Sequence, residues 1–218
     1  DHIIYEADYS QISYEIINDH SKLYQFNPEV IIIHETSISF KKNYNKNNKN
    51  YYNDCIGILE SLINKLESKI SNIKIIYPNL DFDNNMNFGN YYFKVPESID
   101  SQLFCYNYEL LGLARKYKNL FLIDINNLVF QFGNVRDDRL VASSQLHFTV
   151  NFTKKIALSI NNMINALNGH FIKCIILDLD NTLWGGIIGD DGLNGIQIGN
   201  LGIGKIFSEF QKWIKSLK

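Results

Sequence analysis

The sequence contains little cysteine, with three residues among 218, namely Cys55, Cys105 and Cys174. They are widely spaced and form neither a CxxC pair nor a Cys/His ligand spacing. This excludes a disulfide framework and indicates no zinc site. Because proteins without disulfides are typical of reducing compartments, we expect a cytoplasmic protein.

Long hydrophobic runs and an excess of charge of one sign are also absent. No stretch approaches the roughly 18 consecutive apolar residues that span a bilayer. No basic region followed by an apolar one opens the chain, so no signal peptide is expected. Basic and acidic residues number 21 and 23, for a net charge of −2. We therefore expect neither nucleic acid nor a membrane as a partner.

The length and composition indicate a globular protein and limit its number of domains. At about 150 residues per domain, 218 residues make one large domain or one and a half small ones. A hydrophobic fraction of 45% is sufficient for a sizeable core. This composition excludes a collagen-like or wholly disordered chain.

Four apolar runs predict buried parallel strands, because they are rich in Ile, Leu and Val without strict alternation. The runs are residues 30–34, 73–77, 120–125 and 172–178. Apolar residues at steps of three and four predict helices over 56–70, 103–117 and 156–167. Alternating strands and helices predict a doubly wound α/β sheet with helices on both faces.

A domain boundary is predicted near residue 169. Asn168-Gly169 is a helix-stop signal after the helix that ends near Leu167. A new apolar run follows directly. We therefore predict one α/β domain over residues 1–168 and the start of a second over residues 169–218.

The second region begins with a run, IKCIILDLDNTL, that ends in two carboxylates, Asp178 and Asp180. Residues two apart in a strand project to the same side, so both carboxylates would face the crevice at its carboxyl end. Two like charges held close favour a divalent cation with oxygen ligands, Mg²⁺ above all. Such a site suits phosphoryl transfer. The alternative is that Asp-Leu-Asp-Asn is only a strand end and turn.

The segment Asp178-Leu-Asp180-Asn-Thr182 resembles the first motif of the haloacid dehalogenase superfamily of phosphotransferases. The resemblance implies that Asp178 is the nucleophile and Asp180 the general acid and base. It also implies that Mg²⁺ is bound by the Asp178 carboxylate and the backbone carbonyl of Asp180. Thr182 would support the loop as a substrate-binding residue.

The longer stretch LDLDNTLWGGIIGDDGLNGIQIG resembles the FkbH-like subfamily. Here Trp184-Gly185-Gly186 would start a small flap that covers the site, and residues 189–192 (Gly-Asp-Asp-Gly) would supply its tight turn. Trp184 would either pack within the flap or contact substrate. Apolar spacing over 203–218 predicts an amphipathic helix that packs into a core.

FkbH-like proteins carry an N-terminal domain resembling SGNH hydrolases, a flavodoxin-like fold, and residues 1–168 are similar to it. Residues 24–35, 88–90, 137–139 and 146–149 hold the similar blocks. The resemblance implies His147 as a catalytic base and Asn90 as an oxyanion donor. The usual late block reads DxxH, but Ser144 occupies the Asp position. Residues 3–5 would form the second strand, with the first strand missing.

The expected fold is therefore a flavodoxin/SGNH-like parallel sheet followed by the first strand, flap and helix of a haloacid-dehalogenase-like Rossmannoid domain. The expected activity is Mg²⁺-dependent chemistry on a phosphorylated small molecule, with transfer of a glyceryl group from a phosphorylated glycerate to an acyl carrier protein as one possibility. The superfamily's second to fourth motifs would follow residue 218, so this piece alone is expected to be inactive. The alternatives are an esterase or acyltransferase that uses His147, and a non-catalytic docking domain.

Overall fold

The computed structural model describes residues 3–8, 10–44, 49–82, 88–137, 139 and 146–217. The chain divides into two compact units, residues 1–168 and 169–218. Among the described helices, none is long and apolar enough to cross a membrane.

The first unit is built on a parallel sheet of three described strands in the order β1-β2-β3. The strands are β1 (Val30–Ile32), β2 (Lys74–Pro78) and β3 (Leu120–Ile123). Ile31 lies opposite Ile75, and Ile76 lies opposite Phe121. These strands coincide with the first three apolar runs, as predicted.

Helices connect and cover these strands. In chain order they are α1 (Ile12–Ile17), α2 (Lys22–Phe26), α3 (Ser37–Lys42), α4 (Tyr51–Lys69), α5 (Ile99–Lys116), α6 (Ile125–Phe132) and α7 (Val150–Leu167), with a 3-10 helix at Gly89–Lys94. The long helices α4, α5 and α7 confirm those predicted from apolar spacing. Each of α3, α5, α6 and α7 begins with a side-chain cap, from Thr36, Ser98, Asp124 and Thr149 respectively.

The side chains of β2 alternate between two hydrophobic cores. Ile75 and Tyr77 join the core formed with α1, α4 and α5, whereas Ile76 joins the one formed with α6 and α7. Because successive strand residues point to opposite faces, these two cores lie on the two faces of the sheet. Helices on both faces confirm the predicted doubly wound arrangement.

The predicted strand at residues 3–5 is not formed by the described residues. Ile3 and Ile4 are 88% and 81% exposed, and residues 3–8 adopt no regular secondary structure. Tyr5 alone packs inward, with its ring 5.7 Å from that of Phe26. Among the described residues, residues 3–5 therefore have no hydrogen-bonded neighbouring strand, and without one they cannot form a strand.

The second unit contains two helices, α8 (Ile188–Gly195) and α9 (Gly202–Ser216). Helix α9 confirms the helix predicted over 203–218. The strand predicted at residues 172–178 is not formed. Ile172 and Ile176 are 82% and 93% exposed. A strand requires a hydrogen-bonded neighbour, and residues 169–217 supply none to this run.

Candidate functional site

Asp178 lies at the end of the apolar run in the second unit. Its side chain is exposed, and its Oδ1 accepts a hydrogen bond from the N–H of Leu179 at 2.8 Å. After Leu179 the chain makes one helical turn, with the N–H of Leu183 donating to the Leu179 carbonyl at 2.8 Å. The turn leaves the Asp178 carboxylate accessible to a ligand.

Asp180 has a different environment from Asp178, because its carboxylate is held by two donors. The indole Nε1–H of Trp184 donates to Oδ1 of Asp180 at 2.9 Å, and the backbone N–H of Ile188 donates to the same oxygen at 3.1 Å. An isolated β-bridge also joins the backbones of Asp180 and Trp184. The two carboxylates predicted as a pair thus have separate roles in the local structure.

The loop that follows is closed at its base by backbone hydrogen bonds. The N–H of Gly185 donates to the Gln197 carbonyl at 3.0 Å, and the Gln197 N–H donates back at 2.7 Å. The Oδ1 of Asn181 accepts from the N–H of Gly186 at 2.9 Å. Gly186 has a φ of +94°, which favours glycine. Residues 185–197 therefore form a closed loop beside Asp180, as expected of a flap.

The tight turn predicted at residues 189–192 is wrong. These residues lie in α8, although Gly192 departs from helical geometry with a φ of 66°. Oδ2 of Asp191 accepts from the N–H of Ile187 at 2.8 Å, and Asp190 and Asp191 occupy the first helical turn. Carboxylates stabilise a helix N-terminus, so this glycine-acidic sequence forms a short kinked helix.

A second polar cluster lies in the first unit, at the carboxyl ends of β1 and β2. Nε2 of His147 lies 2.8 and 2.9 Å from the two carboxylate oxygens of Asp81. The Asp81 side chain is 2% exposed and that of His147 is 9% exposed. His147 therefore does meet a buried carboxylate, but one from the end of β2 rather than from position 144, which lies outside the described residues.

Ser37 completes this cluster in a geometry that does not activate its hydroxyl. Its Oγ lies 3.3 Å from Nε2 of His147, the same nitrogen that faces Asp81. A nitrogen this close to a carboxylate carries its proton and donates it there, so it has no lone pair to accept the serine proton. In a hydrolytic triad the imidazole instead uses one nitrogen for each partner.

The surroundings of Asp81 tie several segments together. Arg136 forms an ion pair with Asp81 and also donates to the Phe82 carbonyl at 3.3 Å. The N–H of Ser37 donates to Asp81 at 3.4 Å. Nearby, burial raises the pKa of the Glu35 carboxyl. One buried carboxylate thus joins the end of β1, the end of β2, the loop after α6 and the segment before α7.

Of the remaining predicted site residues, Asn90 lies apart from these clusters and Thr182 lies in the same turn as Asp180. Asn90 is exposed in the 3-10 helix, and its side chain makes no hydrogen bond to the described residues. Thr182 is half-buried in the turn after Leu179, to whose carbonyl its N–H donates at 3.3 Å. The roles of Asn90 and Thr182 as substrate-binding residues stay predictions.

Comparison with known proteins decides the family. Residues 2–165 match the family model described as FkbH, N-terminal domain. The chain belongs to the FkbH family. A comparison with curated protein sequences found no match.

A solved structure is similar to this chain over both of its units. It is the N-terminal part of the protein BF1531 from Bacteroides fragilis, which contains a phosphatase domain and is complexed with Mg. The TM-score is 0.86 at 32% sequence identity, over 98% of this chain and 57% of that chain. The likeness confirms the predicted α/β fold class. The FkbH chain spans little more than half the length of this neighbour.

The oxygen donors of the FkbH chain fit Mg²⁺ in kind. Asp178 offers an exposed carboxylate, and Asp180 a backbone carbonyl two residues on. Mg²⁺ takes oxygen ligands, commonly one or two carboxylates completed by water and substrate oxygens. Among the described residues, no group of three or more His, Cys, Asp or Glu could hold a metal. The ligands that this chain would contribute to Mg²⁺ are therefore the Asp178 carboxylate and the Asp180 backbone carbonyl.

Sequence reasoning missed Asp81, Ser37 and Arg136 in the FkbH chain. Asp81 had a visible signal, because it follows β2 closely, and ligands or buried polar groups often collect at the carboxyl edge of a parallel sheet. Ser37 lies five residues after β1 and Arg136 four after α6. Neither has a local pattern that distinguishes it from a loop residue.

Proposed function

We propose that this chain carries the nucleophile and the general acid of a Mg²⁺-dependent phosphatase or phosphotransferase of the haloacid dehalogenase type. Asp178 is the nucleophile and Asp180 is the general acid and base. The substrate is a phosphorylated small molecule. The FkbH family resemblance favours a phosphorylated glycerate. Its glyceryl group passes to an acyl carrier protein in a separate acyl transfer, in which the carrier thiol forms a C–S bond to the carbonyl carbon of a glyceryl acyl phosphate as the C–O bond to the leaving phosphate breaks.

The observation that carries this proposal is the contrast between the two carboxylates. Asp178 is exposed, as a nucleophile must be, whereas Asp180 is fixed by Trp184 and Ile188. A general acid needs a fixed direction towards the leaving group. The phosphatase domain and Mg named for the B. fragilis structure support the same chemistry.

In the first step, a carboxylate oxygen of Asp178 attacks phosphorus. A new O–P bond forms as the bond between phosphorus and the leaving oxygen breaks, and Asp180 donates its proton to that oxygen. The products are an aspartyl phosphate and a neutral alcohol. When bound, Mg²⁺ supplies positive charge that offsets the phosphoryl oxygens.

In the second step, an acceptor removes the phosphoryl group from Asp178. Asp180, now ionised, takes a proton from the attacking water or other hydroxyl as a new O–P bond forms and the acyl-phosphate bond breaks. This restores both carboxyl groups. The loop of residues 185–197 is placed beside Asp180, where it can limit entry of water.

The direct test is Asp178→Asn in the protein that contains the whole phosphatase domain. We expect phosphate release in the presence of Mg²⁺ to fall at least about a thousandfold, because the amide is a poor nucleophile. The matched control is Glu209→Gln, which changes an exposed carboxyl on α9 of the same unit and should leave turnover unchanged. Unchanged turnover of Asp178→Asn would refute the proposal.

For the first unit, we propose a non-catalytic role. In the hydrolase alternative His147 accepts a proton from a serine, but Ser37 faces Nε2, the nitrogen that is directed at Asp81, so Ser37, His147 and Asp81 do not have the geometry of a hydrolytic triad. Ser37, whose hydroxyl lies 3.3 Å from that nitrogen, is 1% exposed and so has little access to substrate. The cluster is better explained as a buried tie between loops. Carrier-protein docking on this unit stays a prediction.

A further inference from the structure

We propose that Trp184 is a positioning residue for Asp180: its indole N–H fixes which carboxyl oxygen carries the transferred proton. This inference rests on the proposed role of Asp180 as the general acid. It replaces the two roles expected for Trp184 from the sequence, simple packing in the flap and contact with substrate.

The geometry distinguishes the two oxygens of the Asp180 carboxyl. Oδ1 accepts the indole N–H of Trp184 at 2.9 Å and the backbone N–H of Ile188 at 3.1 Å. A carboxyl oxygen that accepts two N–H donors has both lone-pair directions in use. The proton of the acid form therefore resides on Oδ2. Oδ2 is then the oxygen that donates to the leaving group.

The indole is itself held in place by its neighbours along the chain. The Gly185–Gln197 backbone pair lies immediately after Trp184, at 3.0 and 2.7 Å. Before Trp184, the Leu183 carbonyl accepts from Nε2 of Gln211 on α9 at 2.7 Å. A Cβ at position 185 would approach side-chain atoms of Gln197 and Phe207 to 2.9 Å, so Gly185 lies closely packed against both. Trp184 is half-buried between these fixed points.

The orientation of the Asp180 carboxyl group therefore depends on the residues at the start of the loop formed by residues 185–197. Trp184 precedes the first residues of the loop, 185–187, and Ile188 follows them. Both residues donate to the same oxygen of Asp180. Loss of the indole N–H leaves Oδ1 with one donor and allows the carboxyl group to rotate. A misdirected acid matters most when the leaving group is a strong base.

The test uses Trp184→Phe in the protein with the whole phosphatase domain, which keeps an aromatic ring and removes the N–H. The substrates are p-nitrophenyl phosphate and phenyl phosphate. The phenolate that leaves from phenyl phosphate is the stronger base, with a pKa of about 10, similar to tyrosine, and needs the acid more. We expect kcat/KM to fall about tenfold for phenyl phosphate and less than about threefold for p-nitrophenyl phosphate. Since kcat/KM reports steps up to leaving-group departure, dephosphorylation does not enter.

Trp213→Phe is the matched control, because Trp213 is 54% exposed on α9 and stacks on Phe210. It should leave the ratio of the two kcat/KM values unchanged. In an Asp180→Asn background, Trp184→Phe should have no further effect on that ratio, because the residue acts through Asp180. Equal losses for both substrates in Trp184→Phe, or a further change in the double variant, would overturn the inference. If Asp178→Asn keeps full turnover, the proposed function fails instead.

A second measurement needs no turnover. This chain has two tryptophans, so its amide NMR spectrum shows two indole N–H signals, and the Trp213→Phe spectrum assigns them. In Asp180→Asn the acceptor loses its charge, so the Trp184 indole proton should move upfield while the Trp213 signal stays in place. A Trp184 signal that does not move would contradict the hydrogen bond and with it the positioning role.

Discussion

Burial separates two aspartates that are chemically alike, Asp81 and Asp178. Asp81 is 2% exposed and is surrounded by donors from Ser37, Arg136 and His147. Asp178 is exposed. A buried carboxylate with several donors is fixed and stabilised as an ion, whereas an exposed one can approach a substrate. The same side chain therefore serves structure in one unit and, under the proposed function, chemistry in the other.

Replacement of Asp81 by Asn should destabilise the first unit without affecting phosphate release. The amide has the same shape but leaves the Arg136 guanidinium, 18% exposed, without the opposite charge of Asp81. Loss of one partner of a buried ion pair costs about 3 kcal/mol. We expect the free energy of unfolding of this chain in urea, followed by circular dichroism, to fall by about that amount.

The control for Asp81→Asn is Asp19→Asn. Asp19 pairs with Lys65 and Lys69 on the surface, where solvent screens the charges, so its urea midpoint should move far less. In the protein with the whole phosphatase domain, Asp81→Asn should keep wild-type kcat while the fold persists. A loss of kcat with no loss of stability would mean that Asp81 belongs to an active site and not to a structural tie.

At this scale the sequence pattern singles out residues that are close along the chain. Asp178 and Asp180 are two residues apart and were recognised from their motif, although the strand predicted to pair their side chains does not form and their roles stay a prediction. His147 and Asp81 are 66 residues apart, and their contact depends on the order of strands in the sheet. Trp184 was noticed, but only the fold of its loop shows that the indole N–H meets Asp180.

Among the elements, α6 shows how a short helix is fixed by its first residue. Oδ1 of Asp124 accepts the N–H of Asn127 at 3.1 Å, and also a hydrogen bond from the side chain of Asn79 at 3.2 Å. Oδ1 of Asn79 accepts the N–H of Ile125 at 2.7 Å. The end of β2 and the start of α6 are therefore joined by side chains that satisfy helix N–H groups.

Asp124→Ala should lower the free energy of unfolding by about 1 kcal/mol, because it removes an N-cap. Asp124→Asn keeps an accepting oxygen and should change it by a few tenths of a kcal/mol, since Asn and Asp cap about equally well. Both values come from urea unfolding of this chain. Equal losses in the two variants would show that the charge of Asp124, and not its cap, stabilises the helix.

Among the helices, the long ones were predictable and the short ones were not. Helices α4, α5 and α7 contain 18 or 19 residues each, so their apolar spacing repeats often enough to be recognised. Helix α6 has eight residues and α8 has eight with a kink at Gly192. The run at 172–178 failed as a strand for another reason: apolar content indicates burial, but a strand also requires a neighbour.

At the scale of the whole molecule, the two units differ in how much they bury. The first has two cores that contain fully buried side chains such as Ile63, Ile76 and Phe152. Within residues 169–217, the buried residues are the glycines Gly185 and Gly204. Apolar burial is the main favourable term in folding, so the first unit should hold most of the stability of this chain.

Hydrogen–deuterium exchange of this chain should reveal that difference. Amides of β2 pair with both β1 and β3 and are covered on both faces, so they should exchange only through global unfolding. Helix α9 has 15 residues and exposes Ile206 and Trp213, and isolated helices of this length are marginal in water. We expect α9 amides to exchange at least about a thousandfold faster than those of β2.

A chain shortened to residues 1–168 should keep the protection of β2. Equal protection in α9 and β2, or loss of β2 protection on shortening, would mean that the stability of the first unit depends on the second.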